Sequence, residues 1–415
     1  MAEVELNIDK PVSIALAAIG GYGGRYVQAL LDRAPRDSFR IVAGIDPSPE
    51  KCRRLDDLQA MDVPICGSPE EFFATSTADL TVISSPIHFH CDQTCLALDN
   101  GSNVLCEKPL GATIQEAERM IEARDAAGKW VGIGYQWSYV PPIQALKRDI
   151  MDGTLGKPQR LKSMVLGPRT SKYYGRNTWA AVQRDATGKW ILDSPINNAT
   201  AHYLHNCFYV LGDTRETSAR PQSVVGELYR ANDIENYDTG AAQTFTEDGV
   251  EILYFAAHAV RDTVGPVFCY EFEKATVTLD HSGGDIVARF EDGTTKNYGS
   301  PQSDYDRKLW DAMEATADGG SAKPIACPPE AASSQTLCMN GIQESMPEIV
   351  EFPEAAINTK GPPDDRLTWV TGLGEVLQEC YEQWKLPSEL GVEWAKAGEE
   401  VDLTDYRFYP GGRED

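Results

Sequence analysis

The stretch from Val12 to Asp46 constrains the fold more than any other. Residues 12–19 (VSIALAAI) are an unbroken apolar run, the pattern of a strand covered on both faces. A glycine cluster, Gly20-Gly21-Tyr22-Gly23-Gly24, follows at once. Over residues 25–33, Tyr26, Val27, Leu30 and Leu31 fall on one helical face. Residues 39–45 form a second apolar run, and it ends at Asp46. Strand, glycine turn, helix, strand and acid in this order specify a βαβ unit, and a βαβ unit specifies a parallel sheet.

In a G-x-G-x-x-G frame the turn places Ala18, Gly20 and Gly23, so alanine stands at the first glycine position. Gly20 lets the backbone approach a pyrophosphate, and Gly23 lets the helix pack close to the strand. The amino end of that helix is suited to a phosphate. Asp46 stands where a carboxylate accepts both ribose hydroxyls and repels a 2′-phosphate, which points to NAD rather than NADP. A plain tight turn is the alternative.

Strand and helix patterns keep alternating. Residues 78–86 read as a strand ending in small residues and proline, 87–100 as a helix, 104–106 as a strand, 112–127 as a helix closed by Gly128, and 130–135 as a strand. Strands alternating with helices over the first part of the chain make a doubly wound nucleotide-binding domain. Proline cannot continue a ladder, so the strand at 104–106 stops by Pro109. Glu107 and Lys108 are left at its carboxyl end, where open α/β sheets bind ligands. A partly dry lysine beside a carboxylate there can be tuned to exchange a proton, although a surface Glu-Lys pair before a turn is the plainer reading. His88, His90 and Cys91 lack carboxylates at metal-ligand spacing, so they read as cofactor-lining or helix-capping residues and no metal is expected.

At 415 residues the chain exceeds one ordinary core. The texture changes after Gln136, giving an expected division into 1–136 and 137–415. A long loop in the second part gathers Arg169, Lys172, Tyr173, Tyr174, Arg176, Trp179 and Arg184. With a net charge of −25, the chain as a whole repels nucleic acid and anionic membranes, so a local basic and aromatic mixture stands out. Rings and fork-shaped donors suit a sugar or polyol; a domain-edge loop packing on its own aromatics is the alternative. Residues 190–212 read as a helix on which Asn198, His202 and His205 share one face. Residues 223–290 carry repeated strand patterns and imply a large, mostly antiparallel open sheet. Helices are expected at 305–317, 329–346 and 365–384, the last a candidate to pack back on the first domain. The fold class is therefore α/β: a Rossmann doubly wound parallel sheet followed by an α+β domain. The ten cysteines are scattered, which suits a reducing compartment, and neither a basic leader nor a spanning apolar run is evident, so a cytoplasmic protein is expected.

Ala18-x-Gly20-x-x-Gly23, Asp46, Ser85-Pro86 with His88 and His90, Glu107-Lys108-Pro109, Asn198-x-x-x-His202 and residues 234–239 (IENYDT) resemble the glucose–fructose oxidoreductase / inositol dehydrogenase / MocA (Gfo/Idh/MocA) family. The resemblance implies NAD(P)-linked hydride transfer on a sugar, inositol or related polyol. It also implies a homodimer or homotetramer built on the open face of the second sheet. By the same resemblance Lys108 lies near the reacting hydroxyl and His202 takes or gives the proton. Asn198 stands where many members have aspartate, His205 replaces a common aspartate, and Ser138 replaces a common arginine. Cofactor contacts are assigned to Gly20, Gly21, Tyr22, Gly23, Asp46, Ser85, Pro86, His88, His90, Glu107, Lys108 and Gln136. Substrate contacts are assigned to Lys108, Tyr135, Arg169, Tyr173, Tyr174, Arg176, Trp179, Asn198, His202 and His205. Lys108, His202 and Asn198 form the catalytic set: a cation for the developing alkoxide, a base, and a group that orients one of them. Without an aspartate at 198, the imidazole is expected to titrate lower than in aspartate-bearing members. A glycosidase-like enzyme with tightly held NAD, and a non-enzymatic NAD-bound sensor, are the rival functions.

Overall fold

The computed structural model describes residues 4–319 and 324–412, which fall into two compact units. The first takes in the chain up to Gly111, then Glu116–Val140 and Asp304–Ala332. Its strands are β1 (Val12–Ala17), β2 (Phe39–Ile45), β3 (Ile65–Cys66), β4 (Leu80–Ile83), β5 (Asn103–Cys106) and β6 (Val131–Ile133). All pairings are parallel and the order is β3-β2-β1-β4-β5-β6, the doubly wound arrangement. The order reverses between β1 and β4, so the glycine turn after β1 lies at the switch point. β3 is two residues long, too short to carry a periodic signal.

This unit also recruits a helix from far along the chain. Leu309, Trp310, Ala312 and Met313 of the helix Arg307–Ala317 share a core with Ile14 and Leu16 of β1 and with Val27 and Leu30 of the helix Gly24–Arg33. Asp306, just before that helix, pairs with Arg25 at 3.0 Å and with Arg33 at 2.6 Å. The sequence division at 136 therefore misses a segment that returns at 304. It misses it because an amphipathic face does not say which sheet it will cover.

The second unit holds Ala112–Gln115, Pro141–Ser303 and the chain from Ser333 on. Its strands are β7 (Pro158–Leu166), β8 (Pro221–Arg230), β9 (Thr239–Thr246), β10 (Glu251–Ala257), β11 (Val264–Phe272), β12 (Ala275–Leu279), β13 (Ile286–Phe290), β14 (Thr295–Gly299), β15 (Val350–Glu351), β16 (Ile357–Lys360), β17 (Leu367–Val370) and β18 (Val401–Asp402). The large sheet runs β14-β13-β12-β11-β7-β10-β9-β8-β15, with β18 also on β8 and a separate β16-β17 hairpin. Only β7–β10 and β8–β15 pair parallel.

Two expected helices are corrected. Residues 190–200 are not α-helical: the Ser194 hydroxyl accepts from the Asn197 N–H at 3.1 Å, Pro195–Ala199 is one π turn, and the backbone breaks at Thr200 before the helix Ala201–Val210. The span 365–384 is split as well. Its first part is β17, and the helix Leu373–Gln383 starts only after Gly372, whose φ of 76° ends the strand. That helix packs on β7 and β10 of its own unit. Leu373, Leu377 and Cys380 fill a core with Met164, Leu166, Leu253 and Phe255, and Trp384 and Trp394 border it. The middle of one face of the large sheet is thus covered by the chain itself. Among the described residues no helix is long and apolar enough to cross a membrane.

Candidate functional site

The glycine turn is held by geometry that its sequence explains. Ala18, at the first glycine position, adopts φ 67°, the left-handed conformation that glycine usually supplies there. Asp46 Oδ2 accepts from the N–H groups of Ile19 and Gly20, each at 3.0 Å, and its Oδ1 accepts from Ser48 N–H at 2.9 Å. The acid at the end of β2 is therefore fixed against the turn. A Cβ on Gly23 would lie 1.8 Å from the Ala18 carbonyl oxygen and 2.6 Å from Ser84 Oγ, so only glycine brings the helix this close. A Cβ on Gly21 would meet nothing within 4 Å, which leaves that side of the turn open for a ligand. A tight, backbone-lined turn running into a helix, with an anchored carboxylate beside it, fits a dinucleotide. Gly23→Ala is expected to raise the NAD dissociation constant by at least about 10-fold and to lower stability by about 1–3 kcal/mol, as overpacking does. Calorimetric titration and denaturant unfolding measure the two.

At the ends of β5 and β6 the assignments need correction. Glu107 does not face outward to a cofactor. It is 6 % exposed and accepts from the Tyr26 hydroxyl and from the ammonium of Lys308, itself 2 % exposed. Lys308 also donates to Gly134 O at 3.2 Å and reaches the Tyr22 hydroxyl at 3.5 Å. Burial acting alone raises the Glu107 pKa. The attraction and hydrogen bond of Lys308 and the hydroxyl of Tyr26 outweigh it and hold the carboxyl below its ordinary value. Lys108 lies beyond the strand end and is half-buried, and its backbone N–H donates to Glu107 Oε2 at 3.1 Å. His90 is also turned inward: its ring nitrogens lie 2.8 Å from Pro109 O and 2.9 Å from Ser85 O, tying the two loops together. Burial lowers its pKa. His88 is buried against Phe89, Ser85 Oγ donates to Gln93 at 2.8 Å, Gln136 is half-buried, and Tyr135 and Ser138 are closed to solvent.

In the second unit Asn198 lies on the π turn and His202 on the following helix, both half-buried. A π turn inserted before a helix is a recurrent device at functional sites. The amide of Asn198 donates to Asp193 Oδ1 at 2.6 Å, while Asp193 Oδ2 accepts from Ala181 N–H at 2.6 Å. Asp193 was not singled out from sequence. The available signal was a lone acid inside the apolar run Ile191-Leu192-Asp193. His205 is fully buried and stacked on Tyr209, so it does not present itself to a substrate; burial, then Lys147, keeps it well below the usual histidine range. Tyr173, Tyr174 and Trp179 are half-buried, and Arg176 stacks on Tyr173 at 3.6 Å. Among the described residues no three His, Cys, Asp or Glu side chains gather to hold a metal ion.

A parallel sheet in this order, with a glycine cradle and an anchored acid at its switch point, has the architecture of a dinucleotide-binding domain. Residues 12–135 match the family described as oxidoreductase family, NAD-binding Rossmann fold. Inositol 2-dehydrogenase 1 of Saccharopolyspora erythraea is 26% identical over 195 residues, 46% of this chain and 57% of that protein. D-glucoside 3-dehydrogenase of Escherichia coli is 25% identical over 183 residues, 43% and 48% respectively. The chain thus spans about half the length of the curated relatives it matches. In fold it is similar to an inositol dehydrogenase homolog complexed with NAD+ from Azotobacter vinelandii, at a TM-score of 0.67 and 16% identity, covering 82% of this chain and 97% of that one. The WlbA dehydrogenase of Bordetella pertussis, solved with NADH and UDP-GlcNAcA, gives 0.64 and 19% over the same shares.

Proposed function

We propose that this chain is an NAD-dependent dehydrogenase that oxidises a hydroxyl of a sugar or related polyol, or reduces the corresponding carbonyl. The observation that carries the reading is the glycine cradle anchored by Asp46 in a unit that matches an NAD-binding oxidoreductase family. The named dehydrogenase relatives of sugars and inositols support the substrate class. Bound at the cradle, NAD supplies the hydride acceptor. The Asp46 carboxylate disfavours a 2′-phosphate and so favours NAD over NADP. The Lys108 ammonium stabilises charge on the substrate oxygen as its proton leaves, and the His202 imidazole takes that proton. Asn198, held by Asp193, orients one of them.

The test is a titration with NAD and with NADP, followed by a panel of sugars, polyols and aryl glycosides monitored for NADH and for released aglycone. NAD is expected to bind at least about 10-fold tighter than NADP, and at least one polyol to give NADH. Failure of both nucleotides to bind ends the reading. Aglycone release without net NADH replaces it with transient oxidation of a glycoside.

A further inference from the structure

We propose that Arg169, Arg176 and His258, gathered around the ring of Tyr173, form a subsite for an anionic group carried by the carbohydrate substrate, a carboxylate or a phosphate. The inference rests on the dehydrogenase reading and narrows its substrate class. The guanidinium carbons of Arg169 and Arg176 lie 5.2 Å and 3.6 Å from the Tyr173 ring centroid, and Arg176 also lies 5.3 Å from that of Trp179. Their hydrogen bonds among the described residues go to two carbonyl oxygens, those of Pro168 and Tyr173, and neither arginine is ion-paired there. In a chain with 63 acidic and 38 basic residues, two neighbouring guanidinium groups, Arg169 half-buried and Arg176 exposed, stand without a carboxylate partner among the described residues. The nearby acids are committed elsewhere. Asp193 serves Ala181 and Asn198, and Asp238 accepts from the N–H groups of Ala231 and Asn232 and from the Asn232 amide.

His258 supplies the independent observation. It follows β10, is 2 % exposed, and its ring centroid is 5.4 Å from that of Tyr173. Its Nδ1 lies 3.3 Å from the Tyr174 hydroxyl, and its Nε2 has no hydrogen-bond partner among the described residues. With Tyr174 donating to Nδ1, the ring proton sits on Nε2, a buried donor in want of an acceptor. Burial, then Arg169 and Arg176, pushes this imidazole down to about 3, so it is neutral at physiological pH. An arriving anion accepts from two planar forks and one N–H, the donor set suited to a carboxylate or phosphate. The frame is built in advance. Thr170 donates to Asp365 at 2.6 Å, the Ser171 N–H donates to Arg366 O at 2.8 Å, and the Arg169 N–H donates to His258 O at 3.3 Å. A net charge of −25 repels an anionic substrate at long range, so a local cationic pair is what its capture requires.

The experiment uses the full chain with saturating NAD and three matched probes: a hexose, the corresponding hexuronate and the corresponding hexose 6-phosphate. One anionic probe is expected to exceed the hexose in kcat/KM on the order of 10- to 100-fold, the range for charge-assisted hydrogen bonds. That preference is expected to shrink on adding salt, to collapse in Arg169→Gln and Arg176→Gln, and to be partly retained in Arg176→Lys. The better anionic probe tells carboxylate from phosphate. Equal use of the neutral and anionic probes overturns the subsite and leaves the dehydrogenase standing. Should no probe give NADH, calorimetric binding of the same three decides: preferential, arginine-dependent binding of an anion sustains the subsite while the catalytic reading fails, and absence of that preference removes the subsite too.

Discussion

Lys308→Met is expected to destabilise the first unit by about 3–5 kcal/mol, the loss seen when one partner of a buried ion pair is removed. The side chain is 2 % exposed and joins three structures: Glu107 at the end of β5, Gly134 beyond β6, and Tyr22 in the glycine turn. Its removal leaves the Glu107 carboxylate buried with the Tyr26 hydroxyl and the Lys108 N–H as donors but without its ion-pair partner. Replacing both charges, as Lys308→Met with Glu107→Gln, is expected to recover much of the loss, because an apolar or neutral pair costs less to bury than a lone ion. The pH dependence follows from the two shifts. Glu107 is held below its ordinary value, so its contribution is complete above the unfolded carboxylate pKa and fades as pH falls through the folded one. For Lys308, burial lowers the pKa but attraction to Glu107 raises it further, with a net rise; its contribution is complete below the unfolded lysine pKa and fades as pH climbs through the folded value. The pair therefore acts in full between about pH 5 and about pH 10. Denaturant melts of wild type and single variants should differ in that window and converge outside it. A Lys308→Met variant as stable as wild type at neutral pH would show that the pair does not tie the strand ends together.

The same pair shows what the sequence could and could not convey. Glu107 and Lys108 are adjacent in the chain and read as partners, yet the buried ion-pair partner of Glu107 lies 201 residues later. Nothing local marks Lys308, because its role depends on where an amphipathic helix docks. By contrast β1, the glycine turn, β2 and Asp46 were legible, because buried parallel strands need long apolar runs and the close approach at Gly23 tolerates no side chain. The antiparallel strands of the second unit were legible from alternation and turn residues. Asn198 and His202 were visible as polar groups in an apolar setting, but one continuous helix does not run through them: Ser194 and Pro195 open a π turn, Thr200 breaks it, and the helix carrying His202 starts at Ala201. Leu367–Val370 was absorbed into a helix because an apolar run next to a helical pattern does not reveal its own period, and only the φ of Gly372 separates the two. His90 illustrates the commonest bias. A histidine near a cofactor motif invites a functional role, whereas here its two ring nitrogens lie buried against backbone carbonyls, one of which accepts its N–H.

His202→Ala is expected to lower kcat on the order of 10²–10⁴-fold while leaving NAD affinity unchanged, the range for loss of a general base. The activity of the unaltered chain should rise with pH through an imidazole titration and then level off; a rise confined to pH above about 9 would remove histidine from the role. Asn198 gives a sharper test, because its amide donates to Asp193 at 2.6 Å. Asn198→Asp makes the residue match the commoner one of the resemblance, yet it sets a second carboxylate against Asp193. Two carboxyl groups that close share a proton, and the pair titrates as a unit with one pKa strongly raised. Activity at neutral pH is therefore expected to fall, and the pH–rate profile to gain an additional inflection. Exchanging the two residues, Asp193→Asn with Asn198→Asp, restores one acid and one amide and is expected to recover much of the loss and to remove the inflection. If Asn198→Asp instead matches the unaltered chain at every pH, the carboxylate of Asp193 is not what holds Asn198, and the orienting role given to this pair is wrong.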